Sequence, residues 1–276
     1  MKILTRLFLS ILSIRFFSRM YGKIVRLRRP RFLVKRAIRY FQKHYRIDMN
    51  DCKGKPEDYP SLLDFFIREL DSDKRRLVPV PDAIVSPADG RLSEIETVYS
   101  DQATQVKGKT YCLSEMVGTP IDFSDGWHVA IIYLSPSNYH RFHFPLSGNV
   151  TRYLHTGPRL YPVNHLGLHY VNRLFIRNER IVTELETQID NRTFRSYIVA
   201  VGATFVGSIR LDFMTEPKKR KHQWIPVNRD VHQLVEMGRF EMGSTIILVI
   251  PKAMATPIMS KKGLPVKAGE PLFKIV

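Results

Sequence analysis

Beyond Val78 the apolar residues no longer recur at helical spacing but gather in short, β-rich runs separated by Gly and Pro, and this constrains the fold most. Ala83 to Val85, His128 to Leu134, Ile198 to Ile209 and Thr245 to Ile250 are the clearest runs. Ser86-Pro-Ala-Asp-Gly-Arg-Leu-Ser and Gly263-Leu-Pro-Val-Lys-Ala-Gly-Glu-Pro-Leu share a pattern, a tight turn leading into an apolar run, of the kind used by turn-rich β barrels. Upstream, Ser61-Leu-Leu-Asp64 matches a capping box, and it predicts a short helix over Leu62 to Glu69 with Phe65 and Phe66 turned inward. The expected fold is therefore α+β. A helical region over residues 1–77 precedes a mainly β, barrel-like domain over residues 78–276.

Charge divides the chain at nearly the same place. Of the net +17, residues 1–50 carry +13, from 14 basic side chains against the single acid Asp48. Within Ile3 to Ile14, Leu4, Leu7, Phe8, Ile11 and Leu12 fall on one helical face opposite Arg6, Ser10 and Ser13. The uncharged run from Leu7 to Ile14 is far short of the ~20 residues a spanning helix needs, so the helix should lie on a membrane. The cations that follow, from Lys23 to Arg39, would each add about 1 kcal/mol of attraction near anionic lipid. Nucleic acid would also use these arginines but leaves the apolar face unexplained, and none is expected as a partner. The segment Glu216 to His222, with four consecutive cations behind Pro217, reads as a solvated loop. Two cysteines, Cys52 and Cys112, cannot form a disulfide framework.

Three places hold reactive residue types. Asp89 sits in a turn bracketed by Pro87 and Gly90. His140 and His143 lie in Tyr139-His-Arg-Phe-His-Phe-Pro145, where an extended backbone would point them to opposite faces. With His155, His165 and His169 they suggest zinc, but no cysteine or carboxylate stands at a familiar ligand spacing, and no metal is expected. Met242-Gly-Ser-Thr245 opens the last long apolar run. A serine hydroxyl there can attack the preceding carbonyl if the backbone turns tightly, as Gly243 permits, given a base and a carboxylate to orient the base. Spacing does not show whether Asp89, His143 and Ser244 meet.

Together these motifs resemble the phosphatidylserine decarboxylase family, whose members make a pyruvoyl group from an internal serine of a Gly-Ser-Thr sequence. The likeness runs in order through Tyr45-Arg-Ile-Asp-Met49, Asp64-Phe-Phe-Ile-Arg68, Ser86-Pro-Ala-Asp-Gly90, Ser135-Pro136 through Pro145, Val163-Asn-His-Leu166, Phe175-Ile-Arg-Asn-Glu-Arg180, Val201-Gly-Ala-Thr204 with Val206-Gly-Ser-Ile209, and Glu236-Met-Gly-Arg-Phe240. The resemblance implies a self-processing triad in which Asp89 orients His143 and His143 activates Ser244. Ser244 would then attack the Gly243 carbonyl, leaving a β chain, 1–243, and an α chain, 244–276, that begins with the pyruvoyl cofactor. Phosphatidylserine would form a Schiff base with that group, lose CO2 and leave as phosphatidylethanolamine, with His140 as a substrate-carboxylate contact or proton donor. The implied partners are phosphatidylserine, anionic membrane lipid and the two chains of one precursor, with a homo-oligomer left open. The implied location is peripheral, on the cytoplasmic face of the cell membrane.

One departure stands out: relatives often carry Asp where this chain has Asn138, and an amide cannot supply a carboxylate's charge. Two other readings use the same residues. A serine hydrolase or other lipid-modifying enzyme would use Ser244 directly, although no Gly-x-Ser-x-Gly elbow surrounds it. A membrane-bound β scaffold would keep the motifs only as turns.

Overall fold

The computed structural model describes residues 13, 15–106, 109–163, 165–204, 209–214, 222–241, 244–259 and 261–276. Nearly all of the amphipathic helix expected over Ile3 to Ile14, the four cations Lys218 to Lys221, and Gly243 lie outside the described residues.

The N-terminal region is helical, with α1 (Arg15–Val25), α2 (Arg31–Tyr45) and α3 (Leu62–Phe66). Val34, Ile38 and Phe41 recur every three or four residues, so they share one face of α2, and that face packs on Phe65 and Phe66 of α3. Ser61 caps α3 as its sequence predicts, its hydroxyl accepting the Asp64 N–H at 3.1 Å. The helix ends at Phe66 rather than Glu69.

The remainder is mainly β. In chain order come β1 (Ala83–Val85), β2 (Gly90–Val98), β3 (Gln102–Val106), β4 (Lys109–Cys112), α4 (Leu113–Val117), β5 (Trp127–Leu134), β6 (Arg141–His143) and β7 (Gly148–Thr156). Next are α5 (His165–Tyr170), α6 (Leu174–Arg177), β8 (Arg180–Ile189), β9 (Arg192–Gly202), β10 (Ile209–Leu211) and β11 (Trp224–Val231). The chain closes with β12 (Glu236–Phe240), β13 (Ser244–Pro251), β14 (Ala255–Pro257), β15 (Leu264–Val266) and β16 (Pro271–Ile275).

Eight strands form one antiparallel sheet in the order β11-β7-β8-β9-β13-β5-β2-β15. Its edges, β11 and β15, do not pair with each other, so the sheet is open and the barrel-like expectation is corrected. Closure is replaced by covering layers. The three-stranded sheets β10-β12-β6 and β1-β16-β14 pack on one face, and α4, α5 and α6 on the other. β13 is the clearest consequence. Ile246, Leu248 and Ile250 enter the core shared with Phe142 and Phe240, while Ile247 and Val249 enter the core shared with Leu113 and Leu174. A strand buried on both faces reads as an unbroken apolar run, which is what Thr245 to Ile250 is.

The apolar stretch Ile198 to Ile209 is not one strand. β9 ends at Gly202, and Ile209 starts β10, which belongs to a different sheet. The two similar turn segments find each other: Val266 pairs with Gly90, the Gly269 N–H reaches Ser86 O at 2.9 Å, and the Ser86 N–H reaches Glu270 O at 2.7 Å.

Candidate active site

Ser244 is the first residue of β13, paired with Leu134 of β5 on one side and Gly202 of β9 on the other. Alternate residues share a face, so its side chain lies on the side of Ile246 and Leu248. That side is covered by the small sheet containing β6. The hydroxyl is fully buried and has no hydrogen-bond partner among the described residues. An orphaned buried hydroxyl costs stability, and such a group is a reasonable place to look for chemistry.

His143 ends β6, on that covering sheet. Its N–H donates to Pro87 O at 2.8 Å, which ties it to the turn that carries Asp89. Nδ1 lies 2.9 Å from Leu234 O, and Nε2 lies 3.1 Å from the Tyr139 hydroxyl. A carbonyl can only accept, so Nδ1 carries the proton, Nε2 carries a lone pair, and Tyr139 donates to it. The Tyr139 ring stacks on the imidazole at 5.8 Å between centroids. Burial is the main influence on His143 and pushes its pKa down to about 4, so at neutral pH it is an uncharged base.

Asp89 stands beside this pair without bonding to it. Its two oxygens take Arg75 Nη1 and Nη2 at 2.7 Å each, and Oδ1 also accepts the Ala268 N–H at 2.8 Å. Asp89 therefore acts on His143 through space, favouring its protonated form, while hydrogen-bonded orientation of the ring falls to the Leu234 carbonyl. Gly90 is required by packing. A Cβ there would come within 2.6 Å of Tyr133 O, so only glycine lets the Asp89 turn approach β5. Strand spacing puts this turn about 10 Å from Ser244, across β5.

His140 sits just before β6, two residues past a bend at Asn138, and faces different neighbours from His143. It is fully buried, with its ring 3.9 Å from that of Phe66. Nδ1 donates to Asn138 O at 2.8 Å, and Nε2 has no partner among the described residues. Burial, and then the Arg68 guanidinium, lower its pKa to about 3. Arg68 binds the carbonyls of Ser137 and Asn138 at 2.8 and 3.0 Å, so the segment following α3 holds the loop that orients His140. The Asn138 side chain works locally: Oδ1 accepts from the Ser135 N–H at 2.8 Å and the Ser135 hydroxyl at 2.7 Å. This is a turn role that Asn and Asp both fill.

Four contributors escape a reading of residue types. Arg75 lies in a charged run that resembles a solvated helix end. Tyr139 looks like an ordinary strand aromatic, although it stands inside the His140 motif. Leu234 contributes through its backbone, and Gln233 through a bracing side chain, neither of which leaves a sequence signal. A cleft of about 310 Å³ passes the site, with Arg75, Arg76, Tyr139, Arg141, His143 and Glu236 among its lining residues. Arg26, just past the end of α1, contacts Glu241, three residues before Ser244, so the N-terminal region reaches the same place.

Comparison with known proteins points to one family. Residues 62–274 match the family model for phosphatidylserine decarboxylase. A phosphatidylserine decarboxylase proenzyme of Brevibacillus brevis is 37% identical over 84% of both chains, and one of Anaeromyxobacter is 36% identical over 97% of this chain and 98% of its own. A third, from Azotobacter vinelandii, is 34% identical over 84% of each. With matches of this extent, the chain belongs to the phosphatidylserine decarboxylase family.

Proposed function

We propose that this chain decarboxylates phosphatidylserine to phosphatidylethanolamine after cutting itself between Gly243 and Ser244. The observation that carries the reading is the buried Ser244 hydroxyl at the head of β13, unpartnered among the described residues and on the face covered by the sheet that holds neutral His143. The proenzyme names of the relatives agree with a maturation step.

In the cut, His143 Nε2 exchanges the Tyr139 hydroxyl for that of Ser244 and takes its proton as the oxygen adds to the Gly243 carbonyl. His143 returns that proton to the Ser244 nitrogen as the peptide C–N bond breaks, and an ester links Gly243 to the Ser244 side chain. Removal of the Ser244 α-proton then expels the Gly243 carboxylate, leaving a dehydroalanine whose hydrolysis releases ammonia and yields a pyruvoyl terminus. The pieces are 1–243 and 244–276. The second stays in place because β13 is hydrogen-bonded to both β5 and β9 and buried on both faces.

The residues present fit such a group: the Ser244 side chain is enclosed, unpaired and flanked by apolar neighbours. Once formed, the pyruvoyl supplies a carbonyl that can take up the substrate amine and draw in the electron pair left as CO2 departs. Around it, Phe142 and Phe240 exclude water. His140, held neutral with Nε2 unpartnered among the described residues, is suited to accept a hydrogen bond from the substrate amine.

Residues 1–77 form the docking region and residues 78–276 the catalytic domain. Met20, Ile24, Leu27, Phe32, Leu33 and Tyr40 are exposed on or beside α1 and α2, with Phe32 70% and Tyr40 69% accessible, amid Lys23, Arg28, Arg29 and Arg36. An apolar and cationic surface of this kind suits an anionic leaflet, which favours a peripheral position on the cytoplasmic face of the cell membrane. Among the described residues no helix is long and apolar enough to cross a membrane. The function is tested with phosphatidylserine vesicles: wild-type protein should release CO2 and form phosphatidylethanolamine, and Ser244→Ala should do neither. An uncut chain that still turned over lipid would mean Ser244 acts directly, and the proposal would fail.

A further inference from the structure

The His143 imidazole has two ring nitrogens, and only one arrangement of its proton leaves a base directed away from the backbone. That arrangement is set by one peptide carbonyl. Leu234 O accepts from Nδ1 at 2.9 Å, and it is aimed there by a backbone φ of 66° at Leu234, a left-handed conformation that residues with a Cβ seldom adopt.

Something must hold Leu234 in that conformation, and the neighbouring Gln233 side chain does so. It is buried and uses its polar atoms fully. Oε1 accepts the Val80 N–H at 2.6 Å, and Nε2 donates to Ala83 O at 2.8 Å and Pro145 O at 3.1 Å. The Gln233 N–H donates to the Ser147 hydroxyl at 3.0 Å, and the Leu234 N–H to Phe144 O at 2.9 Å. One side chain thus joins the strand entering the Asp89 turn, the chain leaving His143 and the turn at Leu234. The Leu234 side chain is buried with Ala83 and Val85 and resists rotation of the same peptide. Asp89, the other acceptor near the ring, is occupied by Arg75 and Ala268.

We propose that Gln233 is a positioning residue for His143, acting through the Leu234 carbonyl to keep the ring proton on Nδ1 and the lone pair on Nε2. The proposal rests on the reading of His143 as the base of self-cleavage, and its test separates the two. Imidazole 15N resonances are recorded on the uncut Ser244→Ala chain and assigned by loss of one ring in Ser244→Ala/His143→Asn. His143 should show a protonated Nδ1 and an unprotonated Nε2. Adding Leu234→Ile, which keeps the side-chain volume but strongly disfavours positive φ, should mix or invert the two signals. Leu234→Gly, which accepts the same φ, should keep the Nδ1–H form. Gln233→Met is an independent way to loosen the clamp and should give the same mixing. In chains that retain Ser244, Leu234→Ile and Gln233→Met should slow self-cleavage about tenfold or more, since a misdirected base loses much of its effect. An unaltered tautomer in Gln233→Met overturns the assignment of Gln233, and an unaltered tautomer in Leu234→Ile overturns the role of the Leu234 carbonyl through which it acts. Normal cleavage in His143→Asn would instead overturn the reading of His143 as base, whatever the resonances show.

Discussion

The depressed pKa of His143 makes stability depend on pH in a way that one substitution can isolate. An unfolded chain binds this proton with a pKa near 6.5, and the folded protein binds it only near 4. Between these values the unfolded state takes up the proton first. Stability is therefore full above pH 6.5 and is lost as pH falls toward 4, with no further loss below. At 1.36 kcal/mol per unit, the loss from His143 amounts to about 1.4 kcal/mol by pH 5.5 and about 3 kcal/mol by pH 4. His140 adds a loss of the same sign, since its folded pKa is about 3. Carboxylates held down by arginine partners, such as Glu184, lose their contribution in the acid range as well. A comparison of two chains removes these shared effects. Urea unfolding of Ser244→Ala and of Ser244→Ala/His143→Asn is measured at pH 7, 5.5 and 4. The difference in unfolding free energy between the two should narrow by about 3 kcal/mol from pH 7 to pH 4, with close to half of that by pH 5.5. Parallel pH dependence in the two chains would refute a buried, neutral His143.

Other expectations follow from the same contacts. Arg75 and Asp89 are 12% and 15% exposed, so Arg75→Met leaves a mostly buried carboxylate with one N–H partner; urea unfolding should show a loss of about 3 kcal/mol. In the proposed cut His143 Nε2 must release the Tyr139 hydroxyl to take Ser244, so Tyr139→Phe, which frees about 1 kcal/mol of hydrogen bonding, should leave self-cleavage intact and speed it a few-fold in a gel time course. Phe32→Ser with Tyr40→Ser removes two exposed rings from the proposed docking face and should weaken co-sedimentation with anionic vesicles by more than about tenfold, the value of burying one aromatic side chain. Salt should weaken what remains, and unchanged binding would reject α2 as a contact.

Much of this was legible because it depends on local pattern. The Ser61 cap, the inward turn of Phe65 and Phe66, and the doubly buried β13 all come from spacing and propensity, which act over a few residues. Closure of the main sheet was not legible, because pairing between distant strands leaves no mark in either one. The repeated turn pattern at Ser86 and Gly263 hinted at a barrel, whereas those segments pair with each other at one edge. At the site, the residue types were visible but the division of labour was not. Asp89 reads naturally as the group that orients His143, yet a bidentate arginine from a charged run engages it. The orienting acceptor is a backbone carbonyl, a group present at every position and therefore silent in sequence.

The central claim, that Ser244 is consumed in severing its own peptide bond, is tested most directly by denaturing intact-mass analysis of folded wild-type protein. Two polypeptides should appear, 1–243 and 244–276, the smaller without a free amino terminus and carrying a pyruvoyl in place of serine, while Ser244→Ala stays whole. A single wild-type polypeptide of 276 residues with serine intact at position 244 would contradict the account.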